Sequence, residues 1–546
     1  ANDPDVIIAD EPTTALDVTV QAQVLEALQA ARRETGAGLV LITHDLGVVA
    51  GQVERVAVMY SGRIVESGPV EDVFYRPQMP YALGLLGSLP RMDGERAERL
   101  TPILGTPPSL TDMPVGCGFA PRCPMARDLC HEEEPRLLRT LENGDRAPAQ
   151  PGDHSSHVAA CHFSEELKDG EVEPGGLFKA TAVDTEGLES VEEPAEESGS
   201  EEEPAQAPEA DKDVLLRADN LVKHFPIRSK GLLRSKVGEV QAVSGVSLEL
   251  RERETLALVG ESGCGKSTTA RLLLNLIRLT SGEIEYMGKK IQGLSDKQMR
   301  PLRRDLQIVF QDPFASLDPR MTVSDIIAEP MQIHRQGNGS VRKRVQELLE
   351  LVGLNPEHAS RYPHEFSGGQ RQRIGIARAL SLNPKVLVLD EPVSALDVSI
   401  QAGVINLLED LQAELGLSYL FVSHDLSVVK HIADRVAVMY LGKIVETATS
   451  EQLFSAPAHP YTQALISAIP LPDPVKERTR ERITVTGDVP SPADPPSGCR
   501  FRTRCPKFAN ELSDSERTLC VEQEPELRDR GAGHRDACHY SEVVEL

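Results

Sequence analysis

Apolar residues in this chain come in short runs separated by polar turns. Leu256-Ala257-Leu258-Val259, Val386-Leu387-Val388-Leu389 and Leu420-Phe421-Val422 have no polar alternation and are too short for typical helices, which is how strands covered on both faces read. Elsewhere the period lengthens. Thr268-Thr269-Ala270-Arg271-Leu272-Leu273-Leu274 reads as the first turns of a helix, and Leu348, Leu349, Leu351 and Val352 supply one helical face around Val341 to Gly353. Strands alternating with helices predict an α/β fold with a mainly parallel sheet covered by helices. A helical subdomain is expected between Gln311 and Asp390. No stretch approaches the eighteen or so apolar residues of a membrane-spanning helix.

Between the first of these strands and its helix lies Gly260-Glu261-Ser262-Gly263-Cys264-Gly265-Lys266-Ser267. It fits the pattern G-x-x-x-x-G-K-[ST] at every fixed position, and strand, glycine loop and helix are the context in which that pattern binds phosphate. Glycines let backbone N–H groups turn inward toward phosphate oxygens, and the helix N-terminus, with Thr268 in its first turn, adds its positive end. Lys266 would reach the β- and γ-phosphates and the Ser267 hydroxyl would ligate Mg²⁺. The fold class predicted is therefore a P-loop NTPase binding a nucleoside triphosphate.

The hydrophobic pattern also repeats. Asp3 to Pro12 aligns with Asn383 to Pro392 at an offset of 380, which carries Asp10 to Asp390, Glu11 to Glu391, Asp17 to Asp397, His44 to His424, Tyr60 to Tyr440 and Tyr81 to Tyr461 without a gap. Two copies of one domain are implied. The first begins near its Asp10 and lacks a phosphate loop, so the chain reads as a two-copy protein truncated at its N-terminus. The expected layout is a C-terminal part of the first copy at 1–90, an extension at 91–163, a linker at 164–213, a complete second copy at 214–470 and a second extension at 471–546.

Charge sharpens this layout. The formal net charge is −26, and residues 164–213 hold eighteen Asp or Glu against three Lys. So acidic a segment cannot bury a core and reads as a solvated tether. It also argues against nucleic-acid binding, which needs clustered Lys and Arg.

Of nine cysteines, Cys264 lies in the phosphate loop and the other eight form two sets of four. Cys117, Cys123, Cys130 and Cys161 follow the first copy; Cys499, Cys505, Cys520 and Cys538 follow the second. Both sets open with Gly-Cys-x-Phe-x-x-Arg-Cys-Pro and close with Ala-Cys-His. Four clustered cysteines in a reducing compartment point to a metal. The spacing differs from the tight C-x-x-C knuckles of zinc sites, and four thiolates suit an iron–sulfur cluster equally well.

Further motifs follow the phosphate loop in order: Gln311, then Ser367-Gly368-Gly369-Gln370 before an arginine-rich helix, then Asp390-Glu391, Asp397 and His424. This ordered set resembles the ATP-binding-cassette (ABC) ATPases over nearly the whole chain. The resemblance implies that Asp390 and Gln311 join Ser267 around Mg²⁺, that Glu391 polarises the attacking water, and that Gln311 and His424 sense the γ-phosphate. It implies that Ser367, Gly368 and Gly369 cap a helix facing ATP held by an opposing cassette. Phe225 is the candidate for stacking on adenine. Asp10, Glu11, Asp17 and His44 are the matching remnant in the first copy.

The cysteine extensions, His459-Pro460-Tyr461-Thr462-Gln463 and the run Gln311 to Val323 further resemble the ATPases of oligopeptide/dipeptide permeases. That resemblance implies an ATP-hydrolysing, energy-coupling importer subunit, peripheral on the cytoplasmic face of the membrane. Its partners would be two permease subunits and, indirectly, an extracytoplasmic solute-binding protein. It also implies [4Fe–4S] clusters on the two cysteine sets, with Zn²⁺ as the alternative. A ribosomal tandem-cassette factor would need a basic linker where this one is acidic. A chromosome-organising cassette would carry an insertion between Ser267 and Asp390. An exporter would lack the cysteine extensions.

Overall fold

The apolar run ahead of the phosphate loop becomes the central strand Thr255–Val259, all five residues buried. It is flanked by parallel partners on both sides, Ser418–Ser423 and Arg435–Tyr440. Val386–Asp390 and Leu306–Val309 extend the parallel array. The computed structural model describes residues 4–14, 16–90, 92, 99–108, 111–140, 146–148, 156–167, 172, 174–178, 213–229, 236–335 and 341–544. Most of the acidic segment 164–213 therefore lies outside the described residues.

Burial on both faces follows the strand period of two. Leu387 and Leu389 enter one buried cluster with Ala257 and Val259, while Val386 and Val388 enter the other with Leu256 and Leu258. The parallel expectation holds for five of the eight strands in this sheet; the last three, Lys443–Thr449, Arg535–Asp536 and Arg528–Asp529, are antiparallel.

A second, four-stranded antiparallel sheet was not anticipated. Its main pair, Val214–Arg228 with Lys236–Arg251, shifts register at several points. The shifts interrupt the alternation along most of the pair; it is sustained only over Val246 to Arg251, where Val246, Leu248 and Leu250 are buried.

The helical subdomain is present as Val323–Ile333, Val341–Leu351 and Gly368–Leu380. Thr322 caps the first of these by accepting the Asp325 N–H. On the second, Val345, Leu348, Leu349 and Val352 are buried, whereas Leu351 is only partly so. The inward stripe is thus rotated toward Val345, which lies three residues before Leu348 and shares its face.

The first copy reproduces the second where both are described. Val6–Asp10 pairs in parallel with Gly38–Ile42, and Arg55–Tyr60 pairs antiparallel with Arg63–Pro69. Tyr60, Tyr81 and Phe119 form an aromatic cluster with centroid separations of 4.7, 5.3 and 5.5 Å; Tyr440, Tyr461 and Phe501 repeat it at 4.7, 5.2 and 5.3 Å. The copies also pack reciprocally. Helix Val18–Thr35 lies on Pro460–Ala468, and its counterpart Val398–Leu415 lies on Pro80–Gly87, the relation expected of a two-fold interface.

Both extensions join the sheets of their own copies. Arg535–Asp536 pairs with Lys443–Thr449, and Val158–Ala159 with Arg63–Pro69. Each junction is pinned by a buried carboxylate on a histidine, His534 Nε2 to Glu446 Oε1 and His157 Nε2 to Glu66 Oε1, both 2.7 Å.

Candidate functional site

The phosphate loop turns sharply because only glycine fits at its ends. At Gly260 (φ 147°) an added Cβ would lie 2.1 Å from the Met439 carbonyl oxygen, and at Gly265 (φ 111°) it would lie 2.2 Å from that of Ala242. Ser262 and Gly263 are exposed, and helix Lys266–Leu273 starts directly after Gly265, with Thr268 half-buried in its first turn. Lys266 Nζ donates to the carbonyls of Gly260 (2.6 Å) and Glu261 (3.1 Å). Ser267 Oγ donates to Asp390 Oδ1 at 2.8 Å. Burial pushes the Asp390 carboxyl above its ordinary range, and the Ser267 hydrogen bond only partly opposes this.

Glu391 stands at the centre of the remaining groups. Its Oε2 accepts Gln311 Nε2 at 2.8 Å and lies 3.2 Å from His424 Nδ1. Burial pushes the Glu391 carboxyl up, but the His424 hydrogen bond and charge, aided by Lys266, outweigh it and leave the carboxyl below its ordinary value. The same hydrogen bond raises His424 above the usual imidazole range. The Glu391 backbone is left-handed (φ 50°) and its N–H donates to Val422 O at 2.9 Å. Held strain of this kind collects at functional sites. Glu11 repeats it with φ 43° and its own bond to Ile42 O at 2.9 Å, and His44 Nδ1 lies 3.4 Å from Glu11 Oε1.

Of the other expected residues, Ser367 caps Gly368–Leu380 in a box with Gln370, as anticipated for the Ser367, Gly368, Gly369 segment. The Phe225 ring is 40 % exposed, with Lys223 Nζ 4.8 Å from its centroid. Cys264 is buried and its thiol is pushed up to about 11, so it packs as a neutral side chain. Asp17 of the first copy reaches the second copy's loop, where its Oδ1 accepts the Ser262 N–H at 2.6 Å. A cavity of about 190 Å³ lies between the copies, lined among others by Gln21, His44 and Asp45 from one and by Gln401, His424 and Asp425 from the other.

Three residues here escaped the sequence reading. Tyr461 Oη accepts the Glu261 N–H at 3.0 Å, and Arg504 forks onto Glu261 at 2.7 and 3.1 Å. Thr19 Oγ1 donates to the same carboxylate. The repeated Arg-Cys-Pro at 122–124 and 504–506 was the available signal for Arg504.

The structure gathers each cysteine set. Cys117, Cys123, Cys130 and Cys161 line one small cavity. Cys499 N–H donates to Cys520 O at 2.8 Å, as Cys117 N–H does to Cys130 O at 2.7 Å. All nine cysteines are free thiols. Among the described residues no group of three or more His, Cys, Asp or Glu adopts a metal-holding arrangement. Burial pushes the thiols of Cys123, Cys499 and Cys538 up to about 12.

Comparison with known proteins agrees with this geometry. Residues 243–394 match the family described as ABC transporter, and residues 65–130 and 445–511 match the C-terminal region of oligopeptide/dipeptide transporters. The oligopeptide transport ATP-binding proteins OppD of Mycobacterium tuberculosis and Mycobacterium bovis are each 52% identical over 476 residues, 87% of this chain and 72% of theirs. The chain belongs to the oligopeptide/dipeptide family of ABC transporter ATP-binding proteins. The glutathione import ATP-binding protein GsiA of Salmonella paratyphi A is 44% identical over 489 residues, 89% of this chain and 64% of its own length. As a member of this family the chain is an energy-coupling ATPase of an ABC importer. Among the described residues no helix is long and apolar enough to cross a membrane.

Proposed function

We propose that this chain is a fused two-cassette ATPase powering uptake of oligopeptides, dipeptides or related solutes. It would act on the cytoplasmic face of the membrane with two permease subunits fed by a solute-binding protein. The observation that carries the ATPase chemistry is Glu391, held between Gln311 and His424 beside the Ser267–Asp390 pair. Lys266, now on loop carbonyls, would transfer to the β- and γ-phosphates. Ser267 and Asp390 are hydrogen-bonded to each other and Gln311 reaches the neighbouring Glu391; all three carry oxygen donors, so they fit Mg²⁺, which when bound neutralises phosphate charge. Glu391, ionised because of His424, would orient and polarise the attacking water. Phe225 offers an exposed ring for adenine.

The repeat at offset 380 and the reciprocal helix packing support two fused cassettes, which the acidic segment 164–213 would tether with the boundaries given above. The parent protein would carry a fuller first cassette. The helical subdomain is the proposed permease contact. Each cysteine set supplies four soft, largely buried donors of the type that the implied [4Fe–4S] cluster, or Zn²⁺ as the alternative, would need, although among the described residues they do not stand in a metal-holding arrangement. Its placement within each extension suggests a staple rather than a redox centre.

The deciding experiment reconstitutes the full-length parent with its permeases and measures ATP hydrolysis with and without cargo-loaded binding protein. Cargo-stimulated hydrolysis that Glu391→Gln abolishes is expected; equal rates in the two proteins would sink the assignment. Anaerobic purification with metal analysis addresses the extensions, with about four irons or one zinc per set expected and metal-free folded protein counting against a centre.

A further inference from the structure

We infer that Arg504 is a positioning residue for the phosphate loop, making nucleotide affinity of the second cassette depend on its cysteine extension. The pair it forms with Glu261 is enclosed: the two side chains are 2 % and 1 % exposed, and the contact is bidentate at 2.7 and 3.1 Å. Arg504 immediately precedes Cys505, whose Sγ accepts the Phe508 N–H at the head of helix Pro506–Asn510. Glu261 is the second residue of the loop. An ion pair excluded from water is held tightly only while both partners are present, because losing one strands the other charge. The extension therefore grips the loop at its start.

Two further holds act on the same few atoms. The Glu261 N–H is taken by Tyr461 Oη and the Ser262 N–H by Asp17 of the first copy, at 3.0 and 2.6 Å. The side chain of Glu261 thus points away from the phosphate site, and its Oε1 is shared between Arg504 and Thr19. Loop conformation is set where extension, second cassette and first cassette meet on one residue.

The equivalent arginine in the first copy provides the internal contrast. Arg122 has no carboxylate partner among the described residues; its guanidinium donates to the carbonyls of Leu104 and Ile103 at 2.9 and 3.0 Å. It is as buried as a core residue and does not touch the phosphate loop.

The test is the dissociation constant of MgATP for the folded chain, measured by calorimetry, with circular dichroism and a thermal melt on each nucleotide-free variant. Arg504→Met is expected to weaken MgATP at least tenfold, Arg504→Lys to restore it to within about threefold of the parent chain, and Arg122→Met to leave it unchanged. A merely structural arginine would lower the melting temperature alike at both sites and leave the affinity of the folded fraction alone. An Arg504→Met affinity within twofold of the parent chain, or equal weakening by Arg122→Met, overturns the inference. If Arg504→Met does not fold, the cycle of Glu261→Gln with Arg504→Lys decides: effects on MgATP affinity that fail to add support the pair acting on the loop, and additive effects overturn it.

Discussion

Strand Val6–Asp10 and strand Val386–Asp390 lie at corresponding positions of the repeat at offset 380, yet their burial differs sharply. All five residues of the second are buried, flanked by Leu306–Val309 on one side and Ser418–Ser423 on the other. The first has Gly38–Ile42 as its one strand partner among the described residues, and Ile8 is 69 % exposed where its counterpart Val388 is fully covered. The hydrophobic pattern is the same; what covers it is not. Yet the turn after each strand survives the difference, since Glu11 and Glu391 share the left-handed backbone and the same bond to the neighbouring strand. Local geometry at this turn comes from the strand and the turn themselves rather than from what covers them.

The contrast breaks first at Lys266. It is the one lysine in the second copy's loop, so Lys266→Ala should remove measurable MgATP binding by calorimetry. The unsubstituted chain of 546 residues should show one site. Two high-affinity sites per chain would mean that the first copy binds nucleotide without a described phosphate loop.

Next comes chemistry without loss of binding. Glu391→Gln should retain MgATP while hydrolysis falls by about 10²–10³, because the water loses its orienting carboxylate. Single-turnover assays in the full-length parent separate the two steps, and an unchanged chemical step would remove Glu391 from its role.

A smaller effect probes burial directly. Val388→Ala, at a fully covered position, should cost about 2 kcal/mol. Ile8→Ala, largely in water, should stay within about 0.5 kcal/mol. Denaturant unfolding measures both, and equal costs would erase the contrast between the copies.

The mildest effect is on pH dependence. Because the Glu391 hydrogen bond raises His424, the charged pair persists above pH 6.5 and is lost as pH climbs through the raised value. Because Glu391 is lowered, the pair survives below the ordinary carboxylate value of 4.5 on the acid side. Its contribution is thus fullest across the interval between. The alkaline fall of the hydrolysis rate should lie above pH 6.5 and move in His424→Ala; a limb that ignores this substitution would detach His424 from Glu391.

Much of this was readable beforehand, for physical reasons. Buried parallel strands announce themselves as unbroken apolar runs, and Gly260 and Gly265 are required by backbone that would collide with any Cβ. Ser367 announced itself as a cap through Gln370 three residues on. What stayed hidden depended on partners far along the chain. The long antiparallel pair slips register, which scrambles its alternation. The extension's return strand is only Arg535–Asp536, too short to carry a period. Arg504 finds Glu261 across 243 positions, a pairing no local pattern encodes.

The sequence contains nine tyrosines and no tryptophan, so its near-ultraviolet emission is tyrosine emission alone. One of those phenols, Tyr461, is hydrogen-bonded to the backbone of the phosphate loop and packed at a tilt against Tyr440 and Phe501. The loop is thus in direct contact with one of the chain's intrinsic chromophores. A single tryptophan introduced anywhere in the chain would be seen against a background free of other indole emission.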